Sequence, residues 1–163
     1  MSTMENKIVV SFEVNGRPVE LLVSPNRTVL EVLREDLGLT GVKQGCDDSN
    51  CGVCTIIMDG KAVKSCSMLI GRAEGTKITT IEGLEGPNGL HPLQKAFIEH
   101  FAIQGGFCTP AMILTAKALL DENPNATEDD IREYMHGTMC RCTGYKKIVE
   151  AVEAARDEMN AQA

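Results

Sequence analysis

Apolar and polar positions alternate along the first half of the chain and follow a helical period along the second. From Lys7 to Val23, β-branched and apolar residues alternate around Asn15-Gly16, the strongest short hairpin signal, so two antiparallel strands are expected there. Thr28 followed by Glu31 forms a capping-box pattern. It precedes the apolar positions Val29, Leu30, Val32, Leu33 and Leu37 and predicts a short helix closed by Gly38. Residues 40–54 have no period and read as a loop. Thr55–Met58 and Lys61–Ser65, about the turn Asp59-Gly60, predict a second hairpin that returns Cys66 towards Cys54, and Lys77–Ile81 adds a strand. Residues 1–83 therefore read as a small α+β domain.

The turn-rich stretch Gly83–Gly89 reads as a linker, after which the period is helical. Pro92 is expected to open a helix running through Ile103. Thr109 is expected to cap a second helix, with Pro110 at its first position, that runs to about Glu122 and is stopped by Asn123-Pro124-Asn125. Thr127, with Asp130 three residues on, caps a third that ends near Gly137. Thr143 is expected to cap a last helix from Gly144 to about Asn160. Residues 84–163 thus read as a four-helix unit, with no internal repeat, and the whole chain as α+β.

Charge narrows the partners. In 163 residues, 16 Lys and Arg face 23 Asp and Glu, a formal net charge of −7, which argues against nucleic-acid binding and a polybasic membrane anchor. A hydrophobic fraction of 43% supports a packed core. No apolar run approaches the ~18 residues of a membrane span. Met1–Lys7 lacks the charged-then-apolar pattern of a signal peptide, so a soluble, cytoplasmic protein is expected.

The unusual count is seven cysteines beside no Trp, two Tyr and four Phe. Without secretion, and with an odd number, a disulfide framework is disfavoured and a metal role favoured. Two small units with few aromatics also benefit from a metal staple. Cys46, Cys51 and Cys54 follow a C-x4-C-x2-C spacing, with Cys66 beyond the hairpin, which is the plant-type [2Fe–2S] pattern. Zinc also takes four thiolates, but its sites usually pair two C-x2-C knuckles and here there is one. Gly45 and Gly52 sit beside ligand positions, where a Cβ would crowd a cluster. Cys108, and Cys140 with Cys142, precede the two predicted helix starts at Thr109 and Thr143, where helix dipoles and free N–H groups favour thiolate.

These motifs carry a resemblance. Gly41-Val42-Lys43-Gln44-Gly45-Cys46, Cys51-Gly52-Val53-Cys54, Phe107-Cys108-Thr109-Pro110 and Cys140-Arg141-Cys142-Thr143-Gly144-Tyr145 together resemble the small iron–sulfur subunit of the molybdenum hydroxylases, the xanthine dehydrogenase, aldehyde oxidoreductase and carbon monoxide dehydrogenase family. The resemblance covers nearly the whole chain. It implies a β-grasp, plant-ferredoxin-like domain (1–83) followed by a four-helix domain (84–163), each with one [2Fe–2S] cluster. It further implies a large molybdopterin subunit, a medium FAD subunit and a dimer of heterotrimers, with the helical-domain cluster nearer the pterin and the other nearer the flavin. Gln104 matches a pterin-contacting position. The family pattern Gln-Cys-Gly-Phe-Cys-Thr-Pro is broken here, because Gly105 stands where its first cysteine would be, and Ala111 stands where the family usually has Gly.

The resulting expectation is an electron-transfer subunit of an oxidoreductase complex with no catalytic site of its own. Cys46, Cys51, Cys54 and Cys66 would hold one cluster, and Cys108, Cys140 and Cys142 three corners of the other. A free-standing ferredoxin-like carrier, and a structural subunit with only the first cluster, are the alternatives. His100 and His136 are close enough in sequence to replace the missing thiolate; the plainer reading makes them ordinary helix-end or surface histidines. Met112, Met135 and Met139 are expected to fill the helical core, Glu128-Asp129-Asp130 to complement a helix start, and Lys146-Lys147 to face solvent.

Overall fold

The computed structural model describes residues 6–163, so the expectation that Met1–Lys7 is no signal peptide falls mostly on residues outside that range. Strand β1 (Ile8–Val14) pairs antiparallel with β2 (Arg17–Val23) through the Asn15-Gly16 turn, where both residues take positive φ (50° and 76°). Such turns match the right-handed twist of the strands they join. With β3 (Thr55–Met58), β4 (Lys61–Lys64) and β5 (Lys77–Thr79) these strands form one mixed sheet in the order β2-β1-β5-β3-β4, with β1 and β5 parallel. The alternation of β1 puts Val10, Phe12 and Val14 inward.

Helix α1 (Val29–Glu31) starts at the Thr28 cap, whose reciprocal bonds with Glu31 are both made, and continues as a wider, π-type turn through Val32–Asp36. Its apolar stripe, Val29, Leu30, Val32 and Leu33, is buried against Val10, Ile56, Ile70 and Ile78 of the sheet side. Backbone bonds from Val29 N–H to the Met68 carbonyl (2.8 Å) and from Ile70 N–H to the Arg27 carbonyl (2.9 Å) tie the helix start to the turn that carries Cys66.

The second half holds α2 (Pro92–Glu99), α3 (Thr109–Glu122), α4 (Glu128–Met135) and α5 (Lys146–Ala161). Helix α3 is apolar all round and lies in the middle, buried from Ala111 to Leu120 apart from Lys117. Its neighbours contribute Leu93, Phe97, Ile131, Ile148 and Val152, and Ile57 of β3 joins the same core. The helical unit therefore packs onto the outer strands of the sheet.

Four details differ from the sequence reading. Helix α2 ends at Glu99, short of Ile103, because Phe101 takes a left-handed φ of 54° while Ala102 N–H reaches the Phe97 carbonyl (2.9 Å) and Phe101 N–H the Ile98 carbonyl (3.2 Å). That is a Schellman closure built without glycine. Helix α3 takes Cys108, not Thr109, as its N-cap, with Met112 N–H bonded to the Cys108 carbonyl (3.0 Å). Helix α5 begins at Lys146 because Gly144 and Tyr145 are both left-handed, which lets the Tyr145 hydroxyl accept from Cys140 N–H (2.8 Å). Thr143 is thus no helix cap; its hydroxyl serves the Cys140 thiol and Tyr145 N–H instead. Finally, Met112 and Met135 are buried, but Met139 is exposed.

Candidate metal centres

The loop between α1 and β3 carries Cys46, Cys51 and Cys54, and with Cys66 just after β4 the first four cysteines fall in pairs. Cys51 N–H donates to the Cys46 thiol at 3.4 Å. Cys54 and Cys66 lie side by side at the base of the β3–β4 hairpin, where the Ser65 hydroxyl donates to the Cys54 carbonyl (2.7 Å). Cys46 and Cys51 are half-buried, and Cys54 and Cys66 buried. Burial pushes the Cys54 thiol up to about 11 and also raises Cys51, whereas the backbone N–H groups of Cys51 and Asp48 hold Cys46 below the usual thiol range. A buried thiolate at Cys54 is favourable only beside a compensating cation.

The loop's shape is fixed on both sides. Lys64 Nζ donates to the Ser49 carbonyl (2.7 Å) and the Thr55 hydroxyl to the Gly52 carbonyl (2.6 Å). A Cβ on Gly45 would stand 3.0 Å from the Cys51 Sγ, so the thiol's place depends on that glycine.

The second set is gathered as well. Cys108 and Cys140 line one cavity, and the Thr143 hydroxyl lies 3.1 Å from the Cys140 Sγ. Burial pushes Cys108 up to about 12. For Cys140 the same burial is outweighed by the Thr143 hydroxyl and the backbone N–H groups of Thr143 and Cys142, which hold it low. Cys142 is exposed, and a Cβ built on Gly105 would lie 3.0 Å from its Sγ. These residues line a cavity of about 240 Å³ with Gln104, Phe107 and Met139. Neither His100 nor His136 lines it.

Among the described residues, no three Cys, His, Asp or Glu side chains gather on one point in the manner of a single-ion site. Thiols held as pairs suit a two-iron rhomb, which asks for two thiolates per iron, better than zinc, which gathers four on one ion. The first set has four thiols and the second has three.

A backbone seam joins the two sets. Met139 N–H donates to the Cys51 carbonyl at 2.8 Å. Gly52, at φ +73°, lies against the backbone of Gly137 and Thr138, the latter's Cα being 2.8 Å from where a Cβ would stand. Each side of this contact is within three residues of a cysteine. Sequence reading singled out Gly52 but had no signal for Gly137 or Met139 as its partners.

The known proteins this chain is similar to share this two-part organisation. Residues 12–78 match the family model of the 2Fe-2S iron-sulfur cluster binding domain, and residues 80–153 that of a [2Fe-2S] binding domain. The chain is 48% identical over 150 residues to the nicotinate dehydrogenase small FeS subunit of Eubacterium barkeri, covering 92% of this chain and 96% of that one. It is 47% identical to the aldehyde oxidoreductase of Megalodesulfovibrio gigas, over 90% of this chain but only 16% of that longer protein. The crystal structure of quinoline 2-oxidoreductase from Pseudomonas putida 86 superposes with a TM-score of 0.90 at 42% identity, covering 95% of this chain and 97% of that one. With both cluster-binding domains in the same order and close identity along nearly its full length, the chain belongs to the small iron–sulfur subunits of the molybdenum hydroxylases.

Proposed function

We propose that this chain carries electrons between a molybdopterin site on a large partner subunit and an FAD on a medium one, within a cytoplasmic dimer of heterotrimers. Residues 1–83 form the flavin-side domain, with Cys46, Cys51, Cys54 and Cys66 as ligands. Residues 84–163 form the pterin-side domain, with Cys108, Cys140 and Cys142 as ligands and Gln104 towards the pterin. The clusters supply one-electron redox chemistry. The chain's own part is to hold two thiol sets at a fixed separation and to present one of them to the partner.

The observation that carries this reading is the backbone seam between the two cysteine sets. A carrier that works alone needs neither the second set nor the seam. The apolar side chains around the second set point the same way. Phe107 and Met139 line the second set's cavity and are exposed, as are Phe101 and Ile103 a few residues before Gly105, and Phe101 is 78% exposed although its left-handed backbone would favour glycine. Such a rim is what a large partner would cover. No helix of the described residues is long and apolar enough to cross a membrane.

A tagged copy of the chain recovered from its native host is expected to bring molybdenum and flavin with it, together with iron. Recovery as a monomer free of molybdenum would count against the assembly. Phe101→Gly separates stability from docking. Relief of the left-handed strain should stabilise the isolated chain by about 1 kcal/mol, seen in denaturant unfolding, while the recovered molybdenum falls.

A further inference from the structure

The first cysteine set carries a residue that acts against its own backbone preference. Ser49, between Cys46 and Cys51, takes a left-handed φ of 63°. Glycine adopts that conformation without cost, whereas an L-residue adopts it with strain. The flanking residues close the turn around it, with Asn50 N–H donating to Asp48 Oδ1 (3.3 Å) and Asn50 Nδ2 to Asp48 Oδ2 (2.6 Å). Lys64 Nζ holds the Ser49 carbonyl at 2.7 Å. A turn alone would be met by glycine; serine adds a hydroxyl at a fixed place.

That hydroxyl lies 3.8 Å from the Cys66 Sγ, within reach of a hydrogen bond to sulfur, and is hydrogen-bonded to the Ser67 hydroxyl. Cys66 is buried, Ser49 half-buried and Ser67 exposed. The short turn Ser65–Ser67 that carries two of these groups is itself held, because Val29 N–H of α1 donates to the adjoining Met68 carbonyl (2.8 Å). Two hydroxyls thus form a chain of contacts from solvent to a buried ligand position.

The state of the sulfur sets the direction of that chain. As a thiol, Cys66 could donate or accept. As a metal ligand it is a thiolate, which only accepts. A serine has one O–H, so when Ser49 gives it to the sulfur, its oxygen accepts from Ser67. The geometry points to Ser49 as a positioning residue that sets the potential of the first cluster: its hydroxyl donates to the Cys66 thiolate, Ser67 backs it, and reduction becomes easier than with the thiolates alone. Reduction adds negative charge, and a donor on a ligand sulfur stabilises the more anionic form more strongly. No bond is made or broken and no proton leaves the serine. This rests on the assignment of a [2Fe–2S] cluster to Cys46, Cys51, Cys54 and Cys66.

The test uses the full chain, purified anaerobically from its native host with the subunits that accompany it. It is titrated reductively and followed by electron paramagnetic resonance. The resonance that Cys54→Ser removes reports the first cluster. In Ser49→Ala its reduction equilibrium is expected to shift about tenfold towards the oxidised form, a midpoint lower by ~59 mV for one electron. Ser49→Gly, which lacks the hydroxyl but relieves the left-handed strain, should fall by the same amount, so the loss does not depend on a distorted loop. Ser67→Ala should fall by less, because Ser49 keeps its bond to the sulfur. Any second resonance should hold its midpoint throughout. An unmoved midpoint in Ser49→Gly would overturn the inference. So would an equal shift in the second resonance, or a Ser67→Ala shift larger than that of Ser49→Ala. Absence of any [2Fe–2S] resonance that depends on Cys54 would instead sink the underlying ligand assignment.

Discussion

Alanine at Gly52 is expected to cost about 3 kcal/mol of stability, one of the largest losses from any single methyl in this chain. The added Cβ would run into the Gly137 carbonyl oxygen and stand 2.8 Å from the Thr138 Cα, so backbone, not a movable side chain, blocks it. The φ of +73° adds the ordinary strain of a left-handed L-residue. For a domain pair of this size the loss corresponds to a fall of about 10 °C in the unfolding midpoint. Gly60→Ala is the control. Its φ is +81° but nothing lies within 4 Å of the new methyl, so it should lose only about 1 kcal/mol. Equal effects at the two positions, read by thermal unfolding, would mean that the seam is not closed.

Cys54→Ser is expected to remove the first cluster outright, taking iron from about four to about two per chain and leaving only the second cluster's resonance. Cys54 is almost wholly buried beside Cys66, and its carbonyl is fixed by the Ser65 hydroxyl, so no neighbouring donor can swing in to replace it. A serine hydroxyl there would have to ionise in the same desolvated place that already pushes the thiol up to about 11. Iron and sulfide analysis with the spectrum decides it. Unchanged iron would remove Cys54 from the ligand set.

Much of this architecture was legible before any coordinates because the signals were local. Asn15-Gly16, the Thr28–Glu31 box and the Thr127–Asp130 box each complete their hydrogen bonds within four residues. The cysteine spacing was equally legible, since one loop must hold Cys46, Cys51 and Cys54. What escaped was set by contacts distant in sequence or by a residue acting against its propensity. Phe101 closes α2 where glycine would be the usual sign. The start of α5 is delayed by left-handed Gly144 and Tyr145, a turn in which the Tyr145 hydroxyl takes the Cys140 N–H and which no helix-start rule anticipates. Met139 has the composition of core filler, yet its N–H is committed to Cys51 and its side chain is left outside. The pairing of Cys142 with Gly105 follows from the fold of two separate loops and has no trace in the spacing.

The contact between Gly52 and the Gly137–Thr138 backbone also bears on how such a unit is joined to other domains. Because main chain meets main chain, the fit owes little to which side chains surround it, so surface residues can drift while the two cysteine sets keep their separation. A linker alone would have let the halves part company when fused to other domains. Locked at the seam, the pair can be moved as one cassette. The same stretch of about 150 residues accordingly makes up almost all of one relative and about a sixth of another.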